Sequence, residues 1–150
     1  MAELVSALRD NFDGHDKLYM DFSTCDKFGN DIKEVDELCG SIVNEWAAYL
    51  KTKRTFRGGV FTGGCSPFSR ASNNAVHTGA LPNGKHKNEN RFADSIAATP
   101  GNDVNGPTAS IKSMLAYDQC QMCSGFVSQL KFDRASFDTE GGKEEFISLT

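Results

Sequence analysis

The sequence lacks the features of a membrane or nucleic-acid-binding protein. It has no uninterrupted apolar run of the roughly 18 residues that a membrane-spanning helix needs. It also has no excess of basic residues, because 16 Lys and Arg stand against 20 Asp and Glu, for a formal net charge of -4. The opening Met-Ala-Glu-Leu-Val is typical of an amphipathic helix rather than a signal peptide. We therefore expect a cytoplasmic protein with neither a membrane nor a nucleic-acid partner.

A secreted disulfide framework and a metal site are also not indicated. The five cysteines are odd in number and irregularly spaced. Cys120 and Cys123 form a C-x-x-C pair, which could be redox-active or half of a metal site, but no second pair stands at a zinc-site spacing. The histidines, His15, His77 and His86, are far apart and have no carboxylate or cysteine pattern around them. Buried or half-buried thiols and no bound metal are the interpretation we favour.

Two helices are predicted in the first third of the chain. Leu4, Val5 and Leu8 share one helical stripe, which predicts a helix from Glu3 to Phe12. Asp31 is placed to cap a second helix, with Glu34 three residues later reaching back to the cap amide. Large apolar residues then recur at helical spacing in that second helix, namely Val35, Leu38, Ile42, Trp46 and Tyr49. The segment between the two helices is mixed in character.

The rest of the chain is richer in turns. From Gly58 to Gly84 we expect short strands joined by irregular backbone, and from Lys85 to Arg91 an exposed loop. Pro107 is predicted to begin a helix after Asn105-Gly106. A half-buried strand is predicted around Leu130, and a last helix from about 141 ends at Thr150 without a stop signal. We expect the natural chain to continue beyond 150, with an end that frays in solvent as the alternative.

Five short pieces, in order, carry a resemblance to a known family. They are Phe28-Gly29-Asn30-Asp31, Gly58-Gly59, Gly79-Ala80-Leu81-Pro82-Asn83-Gly84-Lys85, Ala93-Asp94 followed by Gly101-x-Asp103-x-Asn105-Gly106-Pro107-Thr108-Ala109, and Gln129-Leu130-Lys131-Phe132-Asp133. Together they resemble the C-terminal part of glycyl-radical enzymes of the pyruvate formate-lyase superfamily. Departures occur at Arg91-Phe92, Ser95 and Ala97-Ala98, where the family has Pro-Leu, Gly and Ser-Pro.

The resemblance implies the fold class, which is α/β. The chain would be a partial segment of a ten-stranded α/β barrel of the glycyl-radical enzyme type. Residues 1–57 would form a helical segment of the barrel domain, and residues 58–150 a strand, turn and helix segment of the same domain. Within it, Asp94, Gly101, Asp103, Gly106, Pro107 and Thr108 would form a structural motif.

The resemblance also implies a chemistry that this chain cannot perform alone. In the family, a backbone glycyl radical oxidises a cysteine, whose thiyl radical abstracts a hydrogen atom from substrate. Neither the family's R-V-x-G-Y glycine motif nor its C-x-E or C-C cysteine motif occurs here. We therefore assign no catalytic residue and no bound cofactor to this chain. The glycyl radical would lie in the parent enzyme, installed by a radical S-adenosylmethionine activating enzyme.

The expected role is positional, in the wall around the substrate of an anaerobic, homodimeric parent. Ser66, Phe68 and Arg70 are the candidates for contact with a small-molecule substrate, because they alternate on the strand that lines the pocket in the family. Arg70 could bind a carboxylate, sulfonate or phosphate, and a structural ion pair is the alternative.

Three functional classes follow from these expectations. The first is a fragment of a glycyl-radical lyase, dehydratase or formate acetyltransferase-like enzyme, with dehydratase-like and decarboxylase-like members closer than pyruvate formate-lyase itself. The second is a non-catalytic subunit that docks onto a full-length relative. The third is a self-standing α/β binding domain. An excised barrel segment should expose apolar helix faces, whereas a self-standing domain should not.

Overall fold

In the computed structural model, which describes residues 1–65, 71–93 and 95–124, helices form the framework. They are α1 (Ala2–Arg9), α2 (Asp16–Thr24), α3 (Lys33–Lys51), α4 (Ala71–His77) and α5 (Gly106–Met114), followed by a single 3-10 turn at Gln119–Gln121. Within these ranges no helix is long and apolar enough to cross a membrane. The predicted strand around Leu130 and the predicted last helix lie outside the described residues.

Tertiary contacts change the beginning of α3. Asp31 does not cap it, because the backbone of Asp31 has a φ of 57° and the helix begins at Lys33. The carboxylate of Asp31 instead lies 2.8 Å from the ammonium of Lys112 on α5. The first helix is also shorter than predicted, since the positive φ values of Asn11 and Phe12 end it. The helix α2 was not predicted.

The short strands predicted between Gly58 and Gly84 are absent from the described part of that range. Val60 and Gly64 in that range each form an isolated β-bridge, with Arg54 and Ser124 respectively, and α4 follows. The glycine-rich stretch 58–64 has few side chains to pair across strands, which accounts for bridges in place of a ladder. The predicted turn at Asn83-Gly84 is present, with the Gly84 N–H donating to Leu81 O at 3.1 Å.

Two apolar clusters form the core. The first joins Val43 of α3, Met114 of α5, Cys65 and Tyr117. The second joins α1 and α2 to the segment after α4, through Ala7, Phe12 and Ala80. The ring of Phe12 contacts Tyr19 and His86, with centroids 5.2 and 5.7 Å away.

The prediction of an exposed loop from Lys85 to Arg91 was wrong at its first residue. Lys85 is 0% exposed. Its ammonium donates to the carbonyl oxygens of Thr78, Gly79 and His86 at 3.3, 3.4 and 3.0 Å. Because a lysine ammonium has three N–H donors, these acceptors satisfy it without a carboxylate. The loop 85–91 is therefore anchored at its first residue.

Candidate functional site

The side-chain amide of Asn30 joins the two turn motifs of the sequence. Asn30 is only 6% exposed. Its Nδ2 donates to the carbonyls of Lys27 and Asn102 at 3.0 and 2.7 Å, and its Oδ1 accepts from the backbone N–H of Asn105 at 3.0 Å. Asn105 returns a bond from its own Nδ2 to Asn30 O at 3.0 Å. One buried amide thus fixes residues 27–31 against the turn that leads into α5; we call this contact the Asn30 junction.

Gly29 allows the two segments to approach closely at the Asn30 junction. A Cβ placed on Gly29 would lie 2.4 Å from the Cβ of Ala98, and the φ of Gly29 is 101°. Real Cβ atoms do not approach at that distance, and L-residues rarely adopt that φ. Glycine is therefore required at this position by both space and conformation.

A second set of bonds ties α3 to α5 beside the junction. The backbone N–H of Asp31 donates to the Ser113 hydroxyl oxygen at 3.0 Å, and that hydroxyl donates to Asp36 Oδ2 at 3.0 Å. Ser113 and Asp36 are both buried, and Asp36 Oδ1 has no hydrogen-bond partner among the described residues. The serine hydroxyl is satisfied in both directions, which makes the contact specific in geometry.

The glycine-rich stretch 58–65 packs against α3 and the end of the described chain. A Cβ on Gly63 would lie 2.5 Å from the ring of Trp46, so the indole rests on bare backbone. The N–H of Cys123 donates to Gly63 O at 2.8 Å, and the N–H of Cys65 donates to the Ser124 hydroxyl oxygen at 3.2 Å. These contacts hold Cys65 in the first core cluster.

Burial disfavours ionisation of the groups around Cys65. Desolvation raises the pKa of the Cys65 thiol, and the nearby Cys123 adds to that effect. Desolvation also raises the pKa of Cys39, with a further contribution from Asp36. The pKa of Tyr117 is raised to about 12, first by desolvation and then by Cys65 and Cys39. Since a reactive cysteine needs a lowered thiol pKa, Cys39 and Cys65 have the properties of structural residues.

Four of the nine predicted site residues, Ser66, Phe68, Arg70 and Asp94, lie outside the described residues. The predicted motif residues that are described follow one another into α5, with Gly101 and Asp103 in the preceding turn and Gly106, Pro107 and Thr108 in the helix itself. Asn30, Lys85 and Asp36 were not predicted to have these structural roles. Of these three roles, only that of Asn30 had a signal in the sequence, namely an asparagine within the turn Gly29-Asn30-Asp31.

No catalytic arrangement is found in the described parts of the chain. Among residues 1–65, 71–93 and 95–124, no three His, Cys, Asp or Glu side chains are placed to hold a metal ion. Cys120 and Cys123 are exposed free thiols, so the prediction of buried or half-buried thiols was wrong for this pair. His86 lies in the aromatic cluster with Phe12 and Tyr19. The hydrogen bonds and close approaches of the Asn30 junction and of α3 are therefore contacts that hold the fold together.

Comparison with known proteins gives this geometry a context. The family model described as pyruvate formate lyase-like matches residues 1–75. The (2S)-3-sulfopropanediol dehydratase of Klebsiella oxytoca is 28% identical over 99% of this chain, which spans 18% of that enzyme.

Solved structures agree in fold. A structure from a study of 1,2-propanediol dehydration in Roseburia inulinivorans has a TM-score of 0.83 and 31% identity, covering 99% of this chain and 20% of that one. A glycyl radical enzyme from Archaeoglobus fulgidus has a TM-score of 0.84 and 27% identity, covering 97% of this chain and 18% of that one. The chain therefore spans about a fifth of the proteins that it resembles.

Proposed function

This chain belongs to the pyruvate formate lyase-like family of glycyl-radical enzymes, and from that premise we propose that it is a wall segment of a glycyl-radical dehydratase. The observation that carries the proposal is the match in fold over 99% of the chain to one fifth of a protein studied for 1,2-propanediol dehydration. The parent would supply the thiyl cysteine and the radical glycine, as well as most of a ten-stranded barrel. Residues 1–57 and 58–150 would belong to one barrel domain.

The Asn30 junction supports a positional role. A radical intermediate must be kept from water and stray reductants, so the enclosing wall has to hold a fixed shape. In this chain, glycine at position 29 and the buried amide of Asn30 hold two loops in one arrangement. The described residues contribute rigidity, while acid, base and radical groups come from elsewhere in the parent.

Substrate contact is proposed for Ser66, Phe68 and Arg70. The residue before them, Cys65, is 4% exposed and is packed in the first core cluster. The proposal draws on that burial and on the alternation of the three residues in the sequence. In a dry pocket, the Arg70 guanidinium would bind an anionic substituent of the substrate with two parallel hydrogen bonds. In the parent, a radical S-adenosylmethionine enzyme would install the radical, and the parent would be a cytoplasmic homodimer.

A segment exchange tests the proposal. In the dehydratase of Klebsiella oxytoca, the region that aligns with this chain is replaced by residues 1–150, and the hybrid is activated under anaerobic conditions. We expect a soluble hybrid that shows the electron paramagnetic resonance doublet of a glycyl radical. The same hybrid carrying Gly29→Ala serves as the disrupted control. A hybrid that is insoluble, or that folds but never gains the radical signal, would overturn the proposal.

Arg70 has its own measurement in that hybrid. Arg70→Lys keeps the charge but loses the fork of parallel donors, so we expect a KM for an anionic substrate raised about tenfold with a smaller change in kcat. Arg9→Lys is the matched control, because Arg9 is an exposed arginine at the end of α1. Equal KM values for the two variants would assign Arg70 to a structural ion pair.

The second candidate, a non-catalytic subunit, makes a different prediction. The isolated chain would bind the intact dehydratase and copurify with it, whereas a wall segment would find its place in the intact enzyme already filled. Copurification at a fixed stoichiometry would therefore favour the subunit.

A further inference from the structure

The helix α3 has a close-packed face and a face of large apolar residues, and the described part of the chain covers only the first. Its covered face consists of small or polar residues, Asp36, Gly40, Val43 and Ala47. The other face consists of large residues that are 62%, 61%, 43% and 59% exposed, namely Leu38, Ile42, Trp46 and Tyr49, which we call the outer stripe. At 100° per residue the two faces are centred about 130° apart around the helix. A helix that is apolar over so wide an arc is typically packed on both sides.

The outer stripe leads into a basic hairpin, which we define as residues 51–61. The Thr55 N–H donates to Gly59 O at 2.9 Å, and the Phe61 N–H donates to Lys53 O at 3.2 Å. Phe56 at the tip is 94% exposed. The Lys53 ammonium lies 4.3 Å from the ring centroid of Tyr49, which joins the hairpin to the stripe.

The charge of the hairpin is not neutralised by the described chain. It carries Lys51, Lys53, Arg54 and Arg57, and none of the ion pairs among the described residues involves them. The sequence has no Asp or Glu between Glu45 and Glu89. Exposed aromatic residues and arginine, both present in the hairpin, are enriched at protein interfaces relative to the rest of a protein surface. A matching partner would have carboxylates opposite the hairpin.

Resting on the proposed function, we propose that the outer stripe and the basic hairpin bind the remaining polypeptide of the pyruvate formate lyase-like fold. The occupant is an apolar element that packs along α3 and carries carboxylates opposite residues 51–57. The match covers 97% to 99% of this chain but only 18% to 20% of the length of its relatives. This difference in length supports the proposed occupant. Four-fifths of that fold therefore lies outside this chain.

The test places single substitutions in the hybrid dehydratase described above. Ile42→Glu puts a charge in the outer stripe, and Ser41→Glu puts the same charge one residue away on the polar face of α3, where Ser41 is exposed. We expect Ile42→Glu to lower the melting temperature of the hybrid by about 5 °C or more, or its soluble yield about tenfold, relative to Ser41→Glu. In the isolated 150-residue chain, the two variants should melt within about 2 °C of each other, because neither position is packed there.

A charge reversal tests the second part of the surface. Lys53→Glu combined with Arg54→Glu should destabilise the hybrid, and added salt should reduce the difference from the unsubstituted hybrid, because screening weakens attraction and repulsion alike. Lys17→Glu combined with Lys87→Glu makes the same charge change at exposed positions outside the hairpin and is the control. Equal melting temperatures for the two double variants would remove the hairpin from the docking surface.

The outcomes separate this inference from the proposed function. An unsubstituted hybrid that does not fold overturns the proposed function, and this inference with it. A folded hybrid in which Ile42→Glu and Ser41→Glu melt alike overturns the docking surface alone. Sedimentation of the isolated chain provides a further check: a dimer of fixed stoichiometry that Ile42→Glu abolishes would make a second copy the occupant and would overturn the proposal.

Discussion

Replacing Asn30 by alanine should destabilise this chain more than any exposed asparagine replacement, because the change removes three hydrogen bonds that one buried amide makes to backbone groups. Two of these groups are carbonyls, those of Lys27 and Asn102, and the third is the N–H of Asn105. A net loss of about 1 kcal/mol for each bond gives about 3 kcal/mol in the free energy of unfolding. For a chain of this length that corresponds to about 10 °C in melting temperature.

The assay is urea unfolding of the isolated chain, followed by circular dichroism at low protein concentration. The control is Asn90→Ala, at an exposed position in the loop 85–91, for which we expect a change of less than about 0.5 kcal/mol. Asn30→Asp is a sharper variant, because it keeps the shape while turning the Nδ2 donor into an oxygen that faces two carbonyls. A value for Asn30→Ala within about 1 kcal/mol of the control would refute the reasoning that the junction holds the two loops together.

Three other predictions concern single sites. Gly29→Ala should cost about 3 kcal/mol through overlap and backbone strain, whereas Gly14→Ala, with a φ of 76° and open space around it, should cost about 1 kcal/mol; thermal melts compare them. In a spectrophotometric titration at 295 nm, one of the three tyrosines should ionise near pH 12. Because folding raises the pKa of Tyr117, this residue contributes fully to the free energy of unfolding below about pH 10, its unfolded pKa. That contribution is lost as the pH rises to 12, and Tyr117→Phe should remove this decline in stability. Iodoacetamide should label Cys120 at least tenfold faster than Cys65, as mass spectrometry of timed samples would show, and equal rates would contradict the burial of Cys65.

Local signals in the sequence were sufficient for features that depend on a few neighbouring residues. The helix that begins after Asn105 with Pro107 is present, because proline at the first turn needs no N–H partner. The turn at Asn83-Gly84 is present because glycine tolerates a φ of 83°. The family resemblance was carried by such turns, and the match to the pyruvate formate lyase-like model confirmed it.

Features that depend on distant residues were not predictable in this way. The capping role predicted for Asp31 was wrong because Ser113 and Lys112 take its N–H and its carboxylate, from positions about eighty residues away. The burial of Lys85 follows from three carbonyls arranged by a loop, and a lysine in a polar run gives no sign of it. The predicted pocket residues, including Arg70, stay predictions.

The packing of α3 shows why the hydrophobicity of its residues does not predict which of its faces the described chain covers. The covered face uses small residues, because α3 meets other backbone closely there: a Cβ on Gly40 would lie 2.4 Å from the carbonyl oxygen of Ala116. Large side chains such as Ile42 dominate a hydrophobic pattern, yet Ile42 is 61% exposed and lies on the surface proposed above as a docking site. One helix therefore has a close-packed face of small residues and an exposed face of large ones. Hydrophobicity alone ranks the exposed face first, and only burial and close approach distinguish the two.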